Sequence, residues 1–267
     1  KLIKSFDFFI DVQHISDKEV ALLARQNQID IAVNLNGYTQ NSRTGIFAFR
    51  AAPVQINFLG YPGSMGADYI DYIIGDKVVI PNNSKIFFSE KIIYLPDTYM
   101  PTDNTRKISD KFITRKNQGL PQKGFVLCCF NNSYKITSEE FDIWMRLLKK
   151  IPKSVLWLRK SNECSVNNFK EEAQKRGVDP TKIIFAERAD MEDHLARHKL
   201  ADLFVDTFNF NAHTTAIDAL WSGLPVVTKI GRGFPARVAA SLVNSIDLPD
   251  LVTETKEEYE SLIYNLA

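Results

Sequence analysis

The sequence predicts an α/β protein in two parts, the second a doubly wound parallel sheet. Short apolar runs of strand length alternate with longer stretches whose apolar residues recur at helical spacing, and Gly, Pro or Asn marks many of the junctions. Buried strands joined by helical crossovers make parallel sheets. A second observation divides the chain: residues 96–123 carry Pro96, Pro101, Gly119 and Pro121 among mixed charges, with no sustained apolar period. The expected organisation is therefore a first domain at 1–105, a linker at 106–123 and a second domain at 124–267.

In the first part, residues 17–27 read as a helix with Val20, Leu23 and Ala24 on one face, and residues 29–35 as a strand stopped by the turn pair Asn36-Gly37. A short helix at 44–49 and a strand at 54–59 follow, closed by Gly60-Tyr61-Pro62-Gly63. Residues 71–74 and 77–80 add two short apolar segments before Pro81. In the second part, residues 125–130 are almost continuously apolar, as in a strand buried on both faces. Thr137 or Ser138 caps a helix over 139–150 that buries Trp144, Leu147 and Leu148. The alternation continues through strand 154–158, helix 167–176, strand 183–186, helix 191–198, strand 203–206, helix 215–222 and strand 225–228. The segment 257–267 is amphipathic, and Trp157 and Trp221 read as core.

Composition narrows function by exclusion. Among 267 residues, 33 Lys and Arg against 32 Asp and Glu leave a formal charge of +1, so no global field favours nucleic acid or an anionic membrane. No run reaches the roughly 18 apolar residues of a membrane helix, and Asp7 and Asp11 interrupt the apolar stretch near the start, unlike a signal peptide. Cys128, Cys129 and Cys164 are too few and too irregular for a disulfide framework or a four-ligand zinc site, which fits a reducing cytoplasm. Cys128 and Cys129 lie in a strand that reads as buried, a poor place for a nucleophile.

The chemistry gathers at strand ends. Residues 206–218 place Asp206, Thr207, Asn209, Asn211, His213, Thr214, Thr215 and Asp218 between a strand and a helix, where unpaired N–H groups and the helix dipole receive phosphate oxygens. The hydroxyls of Thr214 and Thr215 add possible donors, and Asp218 either accepts from a ribose hydroxyl or caps local backbone. Lys135 follows strand 125–130 through Asn131-Asn132-Ser133-Tyr134, placed to neutralise a diphosphate. Asn132 bonds either a base or its own turn. His194 and His198 share a helix face with Arg197 between them, but the stretch lacks the glutamate of a zinc hydrolase helix, and no metal is expected. His14 has no motif around it.

Several stretches together resemble the catalytic region of the protein O-linked N-acetylglucosamine transferase family, bacterial relatives included. They are Asn34-Leu35-Asn36-Gly37-Tyr38-Thr39, Arg50-Ala51-Ala52-Pro53-Val54-Gln55, Leu59-Gly60-Tyr61-Pro62-Gly63, Phe130-Asn131-Asn132-Ser133-Tyr134-Lys135, His213-Thr214-Thr215 and Arg237-Val238-Ala239-Ala240-Ser241. The resemblance covers nearly the whole chain. It implies two Rossmann-like lobes of the GT-B type, with residues 1–105 the C-terminal part of a first lobe matched only incompletely. It also implies an inverting transfer of N-acetylglucosamine from UDP-GlcNAc to Ser or Thr hydroxyls of acceptor proteins or peptides. No cofactor, nucleic acid or membrane partner is implied, and the location is cytoplasmic.

By the same resemblance the donor contacts are Asn132, Lys135, His194, Arg197, His213, Thr214, Thr215 and Asp218, with Lys135 and His213 in catalytic roles. Asn132 stands where relatives commonly carry Gln, and Met191 where some carry Lys. The family's proposed active-site histidine and its tetratricopeptide repeats lie upstream of the matching part, and no residue of this chain takes that histidine's role. Alternatives are a GDP-fucose-dependent transferase and a nucleotide-binding fragment without turnover.

Overall fold

A computed structural model describes residues 2–267, and the chain divides into two compact units, residues 1–99 and 100–267. In the first, helix α1 (Asp17–Gln26) opens on a capping box in which Glu19 N–H donates to Ser16 Oγ and Ser16 N–H to Glu19 Oε2. Strand β1 (Ile31–Asn34), helix α2 (Gly45–Ala48) and strands β2 (Val54–Asn57), β3 (Tyr72–Gly75) and β4 (Lys91–Tyr94) follow, forming one parallel sheet in that strand order. The two strand-end turns of this unit interlock. A Cβ on Gly60 would lie 2.1 Å from the Leu35 carbonyl oxygen, and one on Gly37, at φ +55°, 2.2 Å from Tyr61 Cβ. The 50–55 stretch is structural: Arg50 and the Gln55 N–H both donate to Asp71, and Gln55 Oε1 accepts from Ala51 N–H.

The second apolar segment expected in this unit is a turn rather than sheet. Asp76 Oδ1 accepts from the N–H groups of Val78 and Val79, winding the chain so that Val79 and Ile80 are buried side chains of a loop. The sheet's fourth strand comes later, at β4.

In the second unit, strand β5 (Val126–Cys129) is buried at every position. Helix α3 (Ser138–Lys150) is capped reciprocally by Thr137 and Glu140 and buries Trp144, Leu147 and Leu148. Then come strand β6 (Val155–Arg159), helix α4 (Glu163–Lys175), strand β7 (Ile183–Ala186), helix α5 (Met191–Arg197), strand β8 (Leu203–Val205) and helix α6 (Thr214–Trp221). Strand β9 (Val226–Lys229), helix α7 (Val238–Asn244), strand β10 (Val252–Thr253) and helix α8 (Lys256–Leu266) complete it. Helix α4 starts four residues before the expected 167, because Asn162 Oδ1 accepts from Ser165 N–H and caps a polar first turn.

All six strands run parallel in the order β7-β6-β5-β8-β9-β10, which counted in chain order is the doubly wound 3-2-1-4-5-6 arrangement. Trp157 is fully buried, as its neighbours imply, but Trp221 is not core: it ends α6 at 36% exposure, its indole N–H donating to the Arg106 carbonyl. The segment read as a linker runs against this unit. Ser109 N–H donates to the Glu192 carbonyl, Lys111 pairs with Asp193, and Arg115 donates to the Leu200 and Gly124 carbonyls and to Asp202.

Candidate functional site

Crossovers leave β5 and β8 in opposite directions, so the crevice at their carboxyl ends is the topological switch point of the second sheet, where ligands bind in doubly wound folds. The two loops that border it, after Phe130 and after Val205, are the ones the sequence singled out.

The loop after β8 is held by a residue given no role from sequence. Asp206 is fully buried; Oδ1 accepts from the N–H groups of Thr207 (2.8 Å) and Ala212 (2.6 Å), and Oδ2 from the Thr228 hydroxyl (2.7 Å). Its carbonyl accepts from Tyr259 OH at 2.9 Å. Burial pushes the Asp206 carboxyl up to about 7, against the pull of those donors and of the Lys135 charge. Asn131, also buried and also unassigned from sequence, ties the two loops together: Nδ2 donates to Thr207 Oγ1 (2.8 Å), and Oδ1 accepts from Thr215 Oγ1. The Thr215 hydroxyl proton is therefore spent inside the protein. What remains for a ligand at this helix start is the Thr214 hydroxyl and the first backbone N–H groups of α6.

Lys135 reaches into the same place. Its Nζ donates to the Asn211 carbonyl at 3.0 Å and lies 4.0 Å from the centroid of the Phe210 ring, and burial lowers its pKa against the pull of Asp206. The His213 ring stacks on the same Phe210 ring, with centroids 4.5 Å apart. A backbone carbonyl only accepts, so His213 Nε2, 3.2 Å from the Pro235 oxygen, carries the proton and Nδ1 keeps its lone pair.

One turn further along α6, about 6 Å from Thr214 by helical rise, lies Asp218. There α5 contributes His194, whose Nε2 is 3.7 Å from Asp218 Oδ2, and Arg197, whose Nη2 donates to His194 Nδ1 at 2.6 Å. The Arg197 guanidinium sits 4.8 Å from the Phe130 ring centroid, and its Nη1 donates to the Glu187 carbonyl. Arg106 makes a close ion pair with Asp218. Burial raises the Asp218 pKa and Arg106 opposes it. The sequence thus located Lys135, His213, Thr214 and Thr215 at one end of the crevice and His194, Arg197 and Asp218 at the other. Asn132 is engaged elsewhere, its Oδ1 accepting from Arg159 and its Nδ2 donating to Tyr134. His198 is core, Nδ1 donating to the His194 carbonyl. Cys128 and Cys129 are buried, and burial pushes both thiols up. Among the described residues, no group of three or more His, Cys, Asp or Glu side chains is placed to hold a metal ion.

Three of these histidines are neutral at pH 7, because burial above all lowers His194 to about 3 and His198 and His213 to about 4. In the unfolded chain each titrates near 6.5. The unfolded state then binds the extra protons, so stability from these groups is full above pH 6.5 and is lost as pH falls toward 4, by up to about 1.4 kcal/mol per pH unit per group. Asp206, raised rather than lowered, works in the opposite sense over that window. The test is therefore a difference: His198→Asn is expected to lose less stability than the parent between pH 7 and 5 in urea melts, and parallel pH profiles would contradict the assignment.

With this geometry in hand, the comparisons agree with one another. The sequence profile of Glycosyl transferase family 41 matches residues 1–111 and 102–267. The Arabidopsis thaliana protein named "Probable UDP-N-acetylglucosamine–peptide N-acetylglucosaminyltransferase SEC" is 37% identical over 267 residues, covering 98% of this chain and 27% of its own length. A Caenorhabditis elegans UDP-N-acetylglucosamine–peptide N-acetylglucosaminyltransferase is 27% identical, covering 100% of this chain and 33% of its own. A solved mutant of the Thermobaculum terrenum O-GlcNAc transferase superposes with a TM-score of 0.89 at 28% identity, over 99% of this chain and 50% of that one. The chain thus spans about a third or less of the two curated relatives.

Proposed function

The chain belongs to glycosyltransferase family 41 and has the GT-B type of α/β fold, and from that premise we propose that its second unit binds the donor of a protein O-glycosyltransferase. The donor is a nucleoside-diphosphate sugar, UDP-N-acetylglucosamine, and the acceptor a Ser or Thr hydroxyl of a protein or peptide in the cytoplasm. Residues 124–267 form the donor lobe and residues 1–105 belong to the other catalytic lobe. The observation that carries the reading is the gathering at the switch point of the Lys135 amine and the α6 N-terminus at one end, and of Asp218 of α6 with His194 of α5 one turn further along. That spacing suits a diphosphate at one end and a ribose at the other. Among the described residues, no helix is long and apolar enough to cross a membrane.

In the reaction the acceptor oxygen attacks the anomeric carbon from the face opposite the leaving group. The bond from that carbon to the β-phosphate oxygen breaks, with inversion, and the hydroxyl proton is lost to a base. Charge develops on the departing UDP, where Lys135 and the α6 N–H groups stabilise it. His213 walls the diphosphate end through its stack on Phe210, and Arg197 with His194 borders the nucleoside end. Asn132, turned to Arg159 and Tyr134, joins the donor contacts only by exchanging those partners for the base.

Calorimetric titration with UDP and GDP tests this. UDP is expected to bind at least about tenfold more tightly than GDP, a difference of about 1.4 kcal/mol. Preference for GDP would move the assignment to a fucose donor, and binding of neither would refute the pocket.

A further inference from the structure

The two oxygens of the Asp218 carboxylate face different partners. Oδ1 accepts from Arg106 Nη2, and both side chains are nearly buried, at 10% exposure for Asp218 and 17% for Arg106. Arg106 is fixed at both ends: its carbonyl accepts from the Trp221 indole N–H at 3.3 Å, and Nη2 also lies 3.5 Å from Met191 Sδ. Arg106 is therefore fastened to α6 by its main chain and to α6 and α5 by its guanidinium. Oδ2, in contrast, faces His194 Nε2 at 3.7 Å, beyond hydrogen-bond reach.

The protonation of His194 follows from its other neighbour. A guanidinium has only donors, so His194 Nδ1, 2.6 Å from Arg197 Nη2, accepts and the ring proton resides on Nε2. An N–H donor and a carboxylate acceptor then stand side by side without bonding each other. One group satisfies both at once: a hydroxyl, which accepts from His194 and donates to Asp218. A hydrogen atom in its place would leave both polar groups without a partner in a desolvated site, the situation in which selectivity against a deoxy analogue is largest.

We propose that Arg106 is a selectivity-setting positioning residue of the nucleoside site, which occupies Oδ1 of Asp218 and so aims Oδ2, together with His194 Nε2–H, at one sugar hydroxyl of the ligand. The proposal rests on the donor-pocket reading above. Without the guanidinium the carboxylate loses its anchor and its counter-charge in a place where burial already works against ionisation. It gives a part in recognition to a residue of the segment that reads as a linker.

The experiment compares UDP, 2′-deoxy-UDP and 3′-deoxy-UDP by calorimetry on the whole chain. In the parent, one of the two deoxy analogues is expected to bind about 10- to 100-fold more weakly than UDP, the range for losing a hydrogen bond in a charged, buried site. In Arg106→Ala that ratio falls to about threefold or less; in Arg106→Lys, which restores a cation without the fork, it is intermediate. In the Asp218→Asn background, Arg106→Ala changes the ratio no further, because the arginine acts through the carboxylate. A purely structural arginine would lower UDP affinity and leave the ratio intact, and that result in a folded Arg106→Ala or Arg106→Lys chain overturns the proposal while leaving the donor pocket standing. Failure of the parent to bind UDP overturns the donor pocket, and the proposal with it. If Arg106→Ala does not fold, Arg106→Gln, which keeps one donor toward Oδ1 without the charge, is read in its place.

Discussion

Lys135→Met is expected to weaken UDP binding by about 10- to 100-fold, the worth of a charged hydrogen bond in a water-poor site. Sugar transfer in the whole enzyme is expected to slow by a further 10²–10³-fold, roughly what one lost stabiliser of developing charge costs. Methionine keeps a stem of similar length and removes the ammonium that lies over the Phe210 ring, so the substitution tests the charge with little change in volume. Lys135 is built for this task. Among the described residues its hydrogen-bond acceptor is the Asn211 backbone carbonyl, and the carboxylate whose charge acts on it is that of Asp206, whose own oxygens are committed to Thr207, Ala212 and Thr228. Among the described residues the partly desolvated amine has no ion-pair partner, and on the proposed reading a phosphate oxygen would supply one. Uridine, which has no phosphate, is expected to bind the variant and the parent about equally. An equal loss for UDP and uridine would remove Lys135 from the diphosphate end.

Asp206→Ala is expected to cost about 3–5 kcal/mol of stability, as when one partner of a buried charged network is removed. For a unit of this size that is a fall of roughly 6–20 °C in the thermal midpoint. The N–H groups of Thr207 and Ala212 and the hydroxyl of Thr228 all lose their acceptor in a place that water does not reach. Asp206→Asn is expected to be much milder: its amide oxygen still accepts from the two N–H groups, and the Thr228 hydroxyl turns to accept from its NH₂. Because the same loop carries Asn211 and His213, UDP affinity is expected to fall with stability in the alanine variant. A midpoint within about 2 °C of the parent would contradict the hub assignment.

The strands of the second unit are legible in the sequence because a parallel strand buried on both faces is a run of apolar residues, as at β5 and β8. Where that signal weakens, the reading fails for stated reasons. Strand β4 is only Lys-Ile-Ile-Tyr and is never fully buried, and β10 has two residues. Helix α7 is buried at six successive positions, from Val238 to Val243, so it has no polar face and no amphipathic period to detect. Val79 and Ile80 show the converse, since apolar residues in a loop look like strand until the Asp76 side chain is seen to wind the turn.

The site divides in the same way. Residues at the junction of a strand and a helix were visible because their polarity stands out against both neighbours, hence Lys135, His213, Thr214 and Thr215. Asp206 and Asn131 were in plain view in those same segments, but nothing in a sequence distinguishes a polar residue that faces a ligand from one that holds the loop. Arg106 carried no signal at all. Its partner Asp218 is 112 residues away, and only the folded course of the intervening segment brings the two together.

The bond from Tyr259 to the Asp206 carbonyl also has a meaning in time. Tyr259, which itself accepts from the Trp144 indole, lies 53 residues beyond Asp206 and belongs to α8. At a synthesis rate of roughly 5–20 residues per second, that distance takes about 3–10 s to translate. Throughout that interval the nascent chain already holds both loops of the crevice, while the strand end that launches the second lacks the hydroxyl that supports it from outside. The loop after β8 is therefore made first, and the support that α8 gives to its strand end arrives seconds later.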